Sequence, residues 1–353
     1  MELGSEYNLS VSELYIKQDN IFSYLSEYSQ IELFDSGRSA LRCLAGKLKQ
    51  DSEVLFPEFI CESVIRSFSG LNHSFYKLQE DFSPDVNDLK AKIKKNTSAI
   101  FMMHYFGSVQ PAGVLTEIRK IADDAGCTII EDTTQSIFSN KQTIGDYMVC
   151  SIRKWMPLPQ GGLLYSQDKE NYSAYENYKK SEENDRLYGM ILKTLFLQGK
   201  VDCNQEYREI FAESEERLDS KTEICRMSDL SEFLVSCVST DRLRNKRKEN
   251  YVYLKTSLEE MGIKPAIGLN ITDTPFAFPL RIKDRDVFRA YLMDNRIYCA
   301  VHWPFDQIHP EYRPFAVRNA AELISLPVDQ RYERVDMDYL IHVVRQYGGD
   351  LLY

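Results

Sequence analysis

Lys154 lies in the stretch "CSIRKWMPLPQGG", residues 150–162, between an arginine and a tryptophan and ahead of a glycine pair. The bulky Trp155 and the stiff proline segment restrict the lysine. Desolvation or a neighbouring cation such as Arg153 makes a lysine a better amine nucleophile, which imine formation with a carbonyl group requires. Most lysines are solvated surface charges, and taken alone the stretch is also compatible with that role.

A second stretch, "CTIIEDTTQS" at residues 127–136, ends an apolar run in two acids, and Gln135 follows three positions after Asp132. Functional side chains project from the end of a buried parallel strand, and a carboxylate there needs a partner. Asp132 is suited to hold a protonated ring nitrogen, with Gln135 bonding a neighbouring oxygen. Capping of the next helix by Asp132 explains the same residues equally well.

A third stretch, "ELFDSGRSALRCLAG" at residues 32–46, leads from small residues into a helix-forming run that begins near Ser39. Such a helix start presents free backbone N–H groups and the positive end of the helix dipole, which favour an anion such as a phosphate. An ordinary capped helix is the alternative.

Together the three stretches supply the parts of a pyridoxal 5'-phosphate (PLP) site. They offer a phosphate cup, an acid for the pyridine nitrogen and a lysine for the imine. No single stretch indicates this cofactor, whereas their combination and order predict it.

The surrounding elements alternate between apolar β-rich runs and helical patterns from about residue 30 to 165. Strands are predicted at "EVLFP", "SAIFMMHYF" and "CTIIED", and helices at "ESVIRSFSG" and "VLTEIRKIADDAG". This alternation predicts an α/β fold with a mainly parallel sheet covered on both faces and with ligands at the carboxyl ends of its strands. Further strands and helices near the C-terminus, such as "FAFPLRI" and "DRDVFRAYLMDNRI", predict a small α+β domain. We place a large domain at residues 1–240 and this small domain at 241–353.

Charge and composition exclude several classes of protein. The chain has 353 residues and a net charge of -10, which disfavours nucleic acid as a partner. Its basic run "RLRNKRK", residues 242–248, has helical periodicity and is interpreted as a solvated helix face.

The location of the protein is predicted from two features. The N-terminus lacks the layout of a secretion signal, and no apolar run reaches the roughly 20 residues that span a bilayer. We therefore predict a cytoplasmic protein without a membrane partner. Eight cysteines are scattered without metal-ligand spacing, so in a reducing compartment free and mostly buried thiols and no metal site are expected.

The sequence resembles the DegT/DnrJ/StrS family of sugar aminotransferases along nearly its whole length. "SGRSAL" is similar to the family's SGTxAL phosphate turn, "HYFG" at 104–107 to its HxxG segment, and "IIEDTTQS" to its xxEDxAQx stretch. The spacing from Lys154 to Gly161 matches the family's K-x6-GG. The resemblance implies the aspartate-aminotransferase-like fold type I, with a mainly parallel seven-stranded sheet in the large domain.

The resemblance also implies residue roles. Lys154 corresponds to the Schiff-base lysine and proton carrier, Asp132 to the partner of the pyridine nitrogen, and Gln135 to the neighbour of the ring hydroxyl. The residues implied around the phosphate are Gly37, Arg38, Ser39 and Ser151. Because family members work as homodimers with active sites at the subunit interface, a homodimer is expected.

The chain departs from the family pattern at several positions of the cofactor pocket. The family commonly places its phosphate-binding serine five residues before the lysine, whereas Val149 stands there and Ser151 lies three before. Arg38 replaces the usual threonine and adds charge to the cup. The aromatic residue expected on the ring face is absent from its usual position, and Cys61 is assigned there instead.

The implied activity is transfer of an amino group, with glutamate as the usual family donor, to a keto sugar, usually nucleotide-linked, in polysaccharide or secondary-metabolite biosynthesis. His302 and Trp303, in "YCAVHWPF", are candidates for binding the sugar by a hydrogen bond and by stacking. A buried edge strand with a core tryptophan explains this stretch equally well. Two other functions stay open, namely a PLP enzyme of the same fold that acts on a non-sugar ketone or an amino acid, and a non-catalytic relative.

Overall fold

The computed structural model of the protein describes residues 2–10, 14–139, 143–167, 175–304 and 314–347. Residue 1 and residues 348–353, which the predicted domain limits include, lie outside the described residues. Within these ranges the strands are, in chain order, β1 (Leu3–Gly4), β2 (Gln30–Phe34), β3 (Glu53–Pro57), β4 (Asn72–Tyr76), β5 (Thr97–Met103), β6 (Thr128–Asp132), β7 (Tyr147–Cys150), β8 (Gly162–Ser166), β9 (Phe278–Arg281), β10 (Ile297–Tyr298) and β11 (Leu323–Leu326).

Helices cover the sheet and build most of the C-terminal part. They are α1 (Ile21–Tyr24), α2 (Gly37–Ala45), α3 (Glu62–Arg66), α4 (Val86–Lys92), α5 (Ala112–Ala125), α6 (Asp185–Leu197), α7 (Asn204–Ser220), α8 (Asp229–Ser236), α9 (Thr240–Glu259), α10 (Arg285–Asp294), α11 (Pro314–Glu322) and α12 (Arg334–Tyr347). A 3₁₀ turn spans Ile152–Lys154, and another spans Tyr175–Asn177.

A seven-stranded sheet has the strand order β2-β8-β7-β6-β5-β3-β4. The strands from β7 to β4 in this order are parallel, whereas β8 is antiparallel to both of its neighbours. Strand β2 therefore runs in the same direction as the parallel strands, and the carboxyl ends of β2, β6 and β7 lie at one edge. The predicted mainly parallel sheet is confirmed, and the three chemistry-bearing stretches begin at this edge.

The sequence patterns account for these elements. The strand predicted at "EVLFP" coincides with β3, and "CTIIED" contains β6. Strands β5 and β6 lie inside the sheet and are almost wholly buried, which explains their continuous apolar runs. Helix α5 buries Leu115, Ile118 and Ala122 on one face and ends before Gly126, whose φ of 66° allows the left-handed helix cap.

A separate hydrophobic cluster holds the C-terminal elements together. It combines residues of α9, α10, α12, β9 and β11, and it also includes Leu3. Strand β1 pairs in parallel with β10, so the first residues of the chain pack with the last third. We propose the domain boundary at residues 240/241, where α9 begins, with residues 3–4 joining the small domain.

Candidate active site

One cavity at the carboxyl edge of the sheet brings together most of the residues predicted from the three stretches. The predicted residues that line it are Gly37, Arg38, Cys61, Asp132, Gln135, Ser151, Lys154 and Trp303. They come from segments up to about 270 positions apart in the chain. The strand order brings the carboxyl ends of β2, β6 and β7 to one edge of the sheet, with β8 between β2 and β7. We call this space the cofactor cavity.

Asp132 is the last residue of β6 and is 5% exposed. Its Oδ1 accepts a hydrogen bond from the backbone N–H of Thr134 at 2.8 Å. Burial raises the pKa of the Asp132 carboxyl, while the bond from Thr134 and the charge of Lys154 act in the opposite direction. A cationic partner in the cavity, such as a protonated ring nitrogen, would offset this cost of burial.

Gln135 is fully buried and lines the same cavity. Its Oε1 accepts a hydrogen bond from the N–H of Phe106 at 2.7 Å, which fixes the orientation of the amide. Among the described residues, its Nε2 group has no hydrogen-bond partner. An unsatisfied buried donor is costly, and a ligand oxygen in the cavity would satisfy it. This geometry fits the predicted contact between Gln135 and a cofactor ring oxygen.

The start of α2 forms a tight turn against the lysine segment. Ser36 caps the helix, because its Oγ accepts a hydrogen bond from the N–H of Ser39 at 3.1 Å. A Cβ atom at Gly37 would lie 3.2 Å from the Cβ of Ser151, so glycine allows the close approach of the two segments. Ser39 is fully buried and does not line the cavity. Its backbone N–H is the group that the cap residue Ser36 binds.

Arg38 adds a cation to this turn. Its Nη2 forms an ion pair with Asp219 of α7 at 2.7 Å. Its Nη1 is buried and has no partner within the part of the chain that the structure describes. Arg38 and Gln135 thus both offer an unsatisfied donor in residues that line one cavity, which fits a ligand rich in hydrogen-bond acceptors such as a phosphorylated pyridoxal.

Lys154 ends the 3₁₀ turn after β7, and its side chain is exposed in the cavity. The neighbouring Trp155 is fully buried, and its Nε1–H donates to the carbonyl of Thr134 at 2.7 Å. The carbonyl of Trp155 accepts bonds from Gln330 at 2.6 Å and from Tyr7 at 3.1 Å. The backbone that carries Lys154 is therefore held from the sheet, the N-terminal segment and the small domain.

Arg247 stacks its guanidinium group on the Trp155 ring, with 4.4 Å between Cζ and the ring centroid. It also donates to the carbonyl of Phe276 at 2.8 Å and to the hydroxyl of Tyr7 at 2.9 Å, and it is 1% exposed. The interpretation of "RLRNKRK" as a solvated helix face is therefore wrong for this residue. The basic run lies on α9, and its buried Arg247 packs under the loop that carries Lys154.

His302 and Trp303 occupy different surroundings. Trp303 lines the cofactor cavity and packs against Phe59, with 5.4 Å between ring centroids. His302 is absent from that lining but lines a second cavity that also contains Lys154. Its Nδ1 lies 2.8 Å from the Ser325 hydroxyl. Burial, together with the charge of Lys154, lowers the pKa of His302 to about 3, so the imidazole is neutral at physiological pH.

Cys61 is half-buried in the wall of the cofactor cavity, at the residue preceding α3. Its Sγ lies 3.1 Å from the Ser63 hydroxyl. The placement in the wall agrees with the assignment to this cavity, and contact with the ring face stays a prediction.

The histidine of "HYFG" has a structural role. The Nδ1 of His104 accepts a hydrogen bond from the N–H of Gln110 at 3.0 Å, so this nitrogen carries no proton. The proton on Nε2 is donated to Glu131 at 2.8 Å. Sequence reasoning missed Thr134, whose side-chain and backbone oxygens bond the lysine segment. The signal was its position between Asp132 and Gln135.

The described residues contain no group of three or more His, Cys, Asp or Glu side chains placed to hold a metal ion. None of the described helices is long and apolar enough to cross a membrane. The eight cysteines are free thiols, and all but Cys61 are buried, as expected for the thiols.

Comparison with known proteins agrees with this geometry. A model of the DegT/DnrJ/EryC1/StrS aminotransferase family matches residues 36–345. The dTDP-3-amino-3,6-dideoxy-alpha-D-galactopyranose transaminase of Aneurinibacillus thermoaerophilus is 22% identical over 302 residues, which cover 75% of this chain and 71% of the relative.

Solved structures show the same fold. A DegT DnrJ EryC1 StrS aminotransferase from Brucella abortus aligns with a TM-score of 0.69 at 18% identity, over 97% of this chain and 92% of the other. The PLP form of Spr1654 from Streptococcus pneumoniae aligns with a TM-score of 0.70 at 14% identity, over 100% of both chains. The predicted fold type I architecture is confirmed. Since the family model spans most of the sequence, the chain belongs to the DegT/DnrJ/EryC1/StrS aminotransferase family of PLP-dependent enzymes.

Proposed function

We propose that the protein binds PLP in the cofactor cavity and transfers an amino group from glutamate to a keto sugar, most simply a nucleotide-linked one. The observation that carries this proposal is the convergence of Asp132, Gln135 and Lys154 with the Gly37–Arg38 turn on one cavity. We assign each of these residues to a distinct part of the cofactor. PLP, when bound, supplies an electron sink for the charge that develops at the substrate's α-carbon.

The chain's own residues divide the work. Lys154 would hold the cofactor's aldehyde carbon through Nζ and, once released, would move a proton to and from the substrate's α-carbon. Asp132 would keep the ring nitrogen protonated, and Gln135 would orient the ring through its free Nε2 group. Arg38 and the backbone at Gly37 would hold the phosphate at the start of α2. Ser151 lies beside Gly37 and adds a hydroxyl to this end of the cavity.

The keto sugar is supported by the relatives. The Aneurinibacillus relative is named for a dTDP-linked amino sugar, and the family model describes aminotransferases. A cavity of about 450 Å³ that adjoins Lys154 leaves room for a substrate beside the cofactor cavity. His302 and Trp303 line the two cavities and are proposed to bind the sugar.

The first test is the visible absorption spectrum of the protein with PLP. Wild type and Lys283→Ala, which changes an exposed lysine, should both show the band of a lysine-bound cofactor, whereas Lys154→Ala should not. Addition of glutamate should bleach this band, and mass spectrometry should then detect amination of keto sugars. A band without amination of any sugar would favour a non-sugar ketone or an amino acid as substrate. Absence of the band in wild type would indicate a non-catalytic relative.

We further propose a homodimer in the cytoplasm. The family resemblance supports the dimer, and light scattering on the purified protein would test it. The free thiols fit a reducing compartment. Fluorescence microscopy of the tagged full chain would test the location.

A further inference from the structure

The cavity that adjoins Lys154, called here the second cavity, differs in charge from the protein as a whole. Its cationic lining residues are Arg153, Lys154, Arg186, Arg247 and Arg331. Its carboxylate residues are Glu6, Glu215 and Asp329. Cations thus exceed carboxylates in a chain whose net charge is -10. An excess of positive charge in a concave site attracts anionic ligands.

Two of these arginines are already satisfied by the protein. Arg247 stacks on Trp155 and donates hydrogen bonds to Gln330 and to the carbonyl of Phe276. Arg331 forms a bidentate salt bridge with Asp329, in which Nε donates to Oδ1 at 2.8 Å and Nη2 donates to Oδ2 at 2.9 Å. These groups fix the walls of the cavity and have little capacity to bind a ligand.

Arg186 and Arg153 share one carboxylate. The Nη1 of Arg186 donates to Glu215 at 2.7 Å, and its Nη2 donates to Glu6. Arg153 donates to the same Glu215 oxygen at 2.6 Å. Burial works against the charged carboxylate, but the two arginines lower the pKa of Glu215 to about 2. Glu215 is therefore ionised and serves two guanidinium groups at once.

Among the described arginines of the second cavity, Arg153 is the one whose guanidinium N–H donors are least used by the protein. Within the described ranges, the one hydrogen bond made by its guanidinium group runs from Nη1 to Glu215. The side chain is 18% exposed and lines both the cofactor cavity and the second cavity. A guanidinium group carries five N–H donors in a planar fork, which suits two-bond contact with a carboxylate or a phosphate.

We propose that Arg153 binds an anionic oxygen group of the substrate, with Glu215 holding the guanidinium group in position. The proposal rests on the proposed function, because it takes the second cavity as the substrate's place beside Lys154. Two sources of such a group fit the reaction, namely a carboxylate of the amino donor and the diphosphate of a nucleotide-linked acceptor.

The test measures binding of two unreactive probes to the PLP-loaded protein by calorimetry. Glutarate carries the carboxylates of the donor without its amine, and dTDP carries the diphosphate without the sugar. Arg153→Gln should weaken binding of at least one probe by about tenfold to a hundredfold, the range for a hydrogen bond to a charged group. The probe whose binding is weakened shows whether Arg153 binds the carboxylate of the donor or the diphosphate of the acceptor. Arg345→Gln on α12, which removes an exposed positive charge, is the matched control and should bind both probes as wild type does.

A second variant guards against a folding defect. Arg153→Lys keeps the ion pair with Glu215 but lacks the planar fork, so its binding should fall between that of wild type and Arg153→Gln. Unchanged affinity for both probes in the glutamine variant would overturn the proposal. Loss of PLP affinity with unchanged affinity for unphosphorylated pyridoxal would also overturn it, since Arg153 would then bind the cofactor phosphate.

Failure of the proposed function has a different signature. If wild type shows no lysine-bound cofactor band, the aminotransferase proposal fails before any probe is added. If the band is present in both proteins and Arg153→Gln binds both probes normally, the Arg153 proposal alone fails.

Discussion

The indole N–H of Trp155 donates a hydrogen bond to the backbone carbonyl of Thr134, with 2.7 Å between the two atoms. The hydroxyl of Thr134 accepts a second bond, from the N–H of Ser151 at 3.0 Å. The segment that follows Asp132 is thereby tied to the loop that carries Lys154. These two contacts help to fix the position of Asp132 relative to Lys154.

Trp155→Phe tests this connection, because it keeps an aromatic ring beneath Arg247 and removes the N–H. The carbonyl of Thr134 is then left without its donor, at a cost of about 1–3 kcal/mol in the free energy of unfolding. We expect kcat to fall by about tenfold or more as Lys154 becomes less well positioned. Steady-state kinetics and urea unfolding would measure both effects, and wild-type values of both would contradict the positioning role.

Asp132→Asn should have opposite effects on activity and on the stability of the cofactor-free protein. The amide cannot keep a ring nitrogen protonated, so kcat should fall by about 10²–10³-fold. Burial raises the pKa of the carboxyl, so at neutral pH the ionised group opposes folding. The variant without PLP should therefore unfold at a higher temperature than wild type.

The effect of Asp132→Asn on the free energy of unfolding should depend on pH. A carboxyl whose pKa is raised on folding loses its stabilising contribution as pH increases, so the gain from Asp132→Asn should be present at neutral pH and vanish below the ordinary value of 3.8. Asp202→Asn removes an exposed carboxylate and is the charge-matched control. A variant less stable than wild type at neutral pH would show that Asp132 is satisfied without the cofactor.

His302 makes a second pH-dependent contribution. Its pKa is lowered from 6.5 to about 3 by burial and by Lys154, so between these values the unfolded chain binds a proton that the native protein does not. Stability should therefore decrease as pH falls through this window, by about 1.4 kcal/mol per pH unit from this residue. His302→Gln should remove that part of the slope in urea unfolding between about pH 6 and about pH 4.

The control for the loss of one histidine is His342→Gln, which replaces an exposed histidine. Equal slopes for wild type and His302→Gln would mean that the imidazole is protonated in the native protein. In that case His302 would add to the positive charge beside Lys154 and could not offer a neutral nitrogen to the substrate.

The residues that local sequence could identify are those whose role follows from a strand end or a helix start. Asp132 and Gln135 follow a continuous apolar run, and Lys154 precedes a glycine pair, so their placement in one cavity was predictable. Arg247 was not, because its packing under Trp155 joins residues 92 positions apart and the charged residues beside it in the sequence are partly exposed. Ser39 is the opposite case. A helix start predicts free backbone N–H groups that could bind a ligand, but the N–H of Ser39 is bonded to the capping residue Ser36.

The glycine pair after the lysine loop was recognised from its spacing, and the structure gives its physical reason. A Cβ atom at Gly162 would lie 2.1 Å from the carbonyl oxygen of Ser36, and a Cβ at Gly161 would lie 2.8 Å from the backbone N of Arg153. A side chain at Gly162 would push the start of β8 away from the turn at Ser36–Gly37, and one at Gly161 would push it away from the loop that carries Lys154. The pair therefore allows β8 to pack closely against two segments that both border the cofactor cavity.

Gly162→Ala should consequently destabilise the protein by about 3 kcal/mol or more, since the clash is with backbone atoms that cannot rotate away. It should also weaken PLP binding, because Gly37 follows directly after Ser36. The matched control is Gly113→Ala in α5, where an added Cβ meets nothing within 4 Å and should stabilise the helix by about 0.5–1 kcal/mol. Thermal unfolding and a PLP titration of both variants would measure these effects. If Gly162→Ala were as stable as Gly113→Ala and bound PLP as wild type does, the phosphate turn would have to tolerate a shift away from β8.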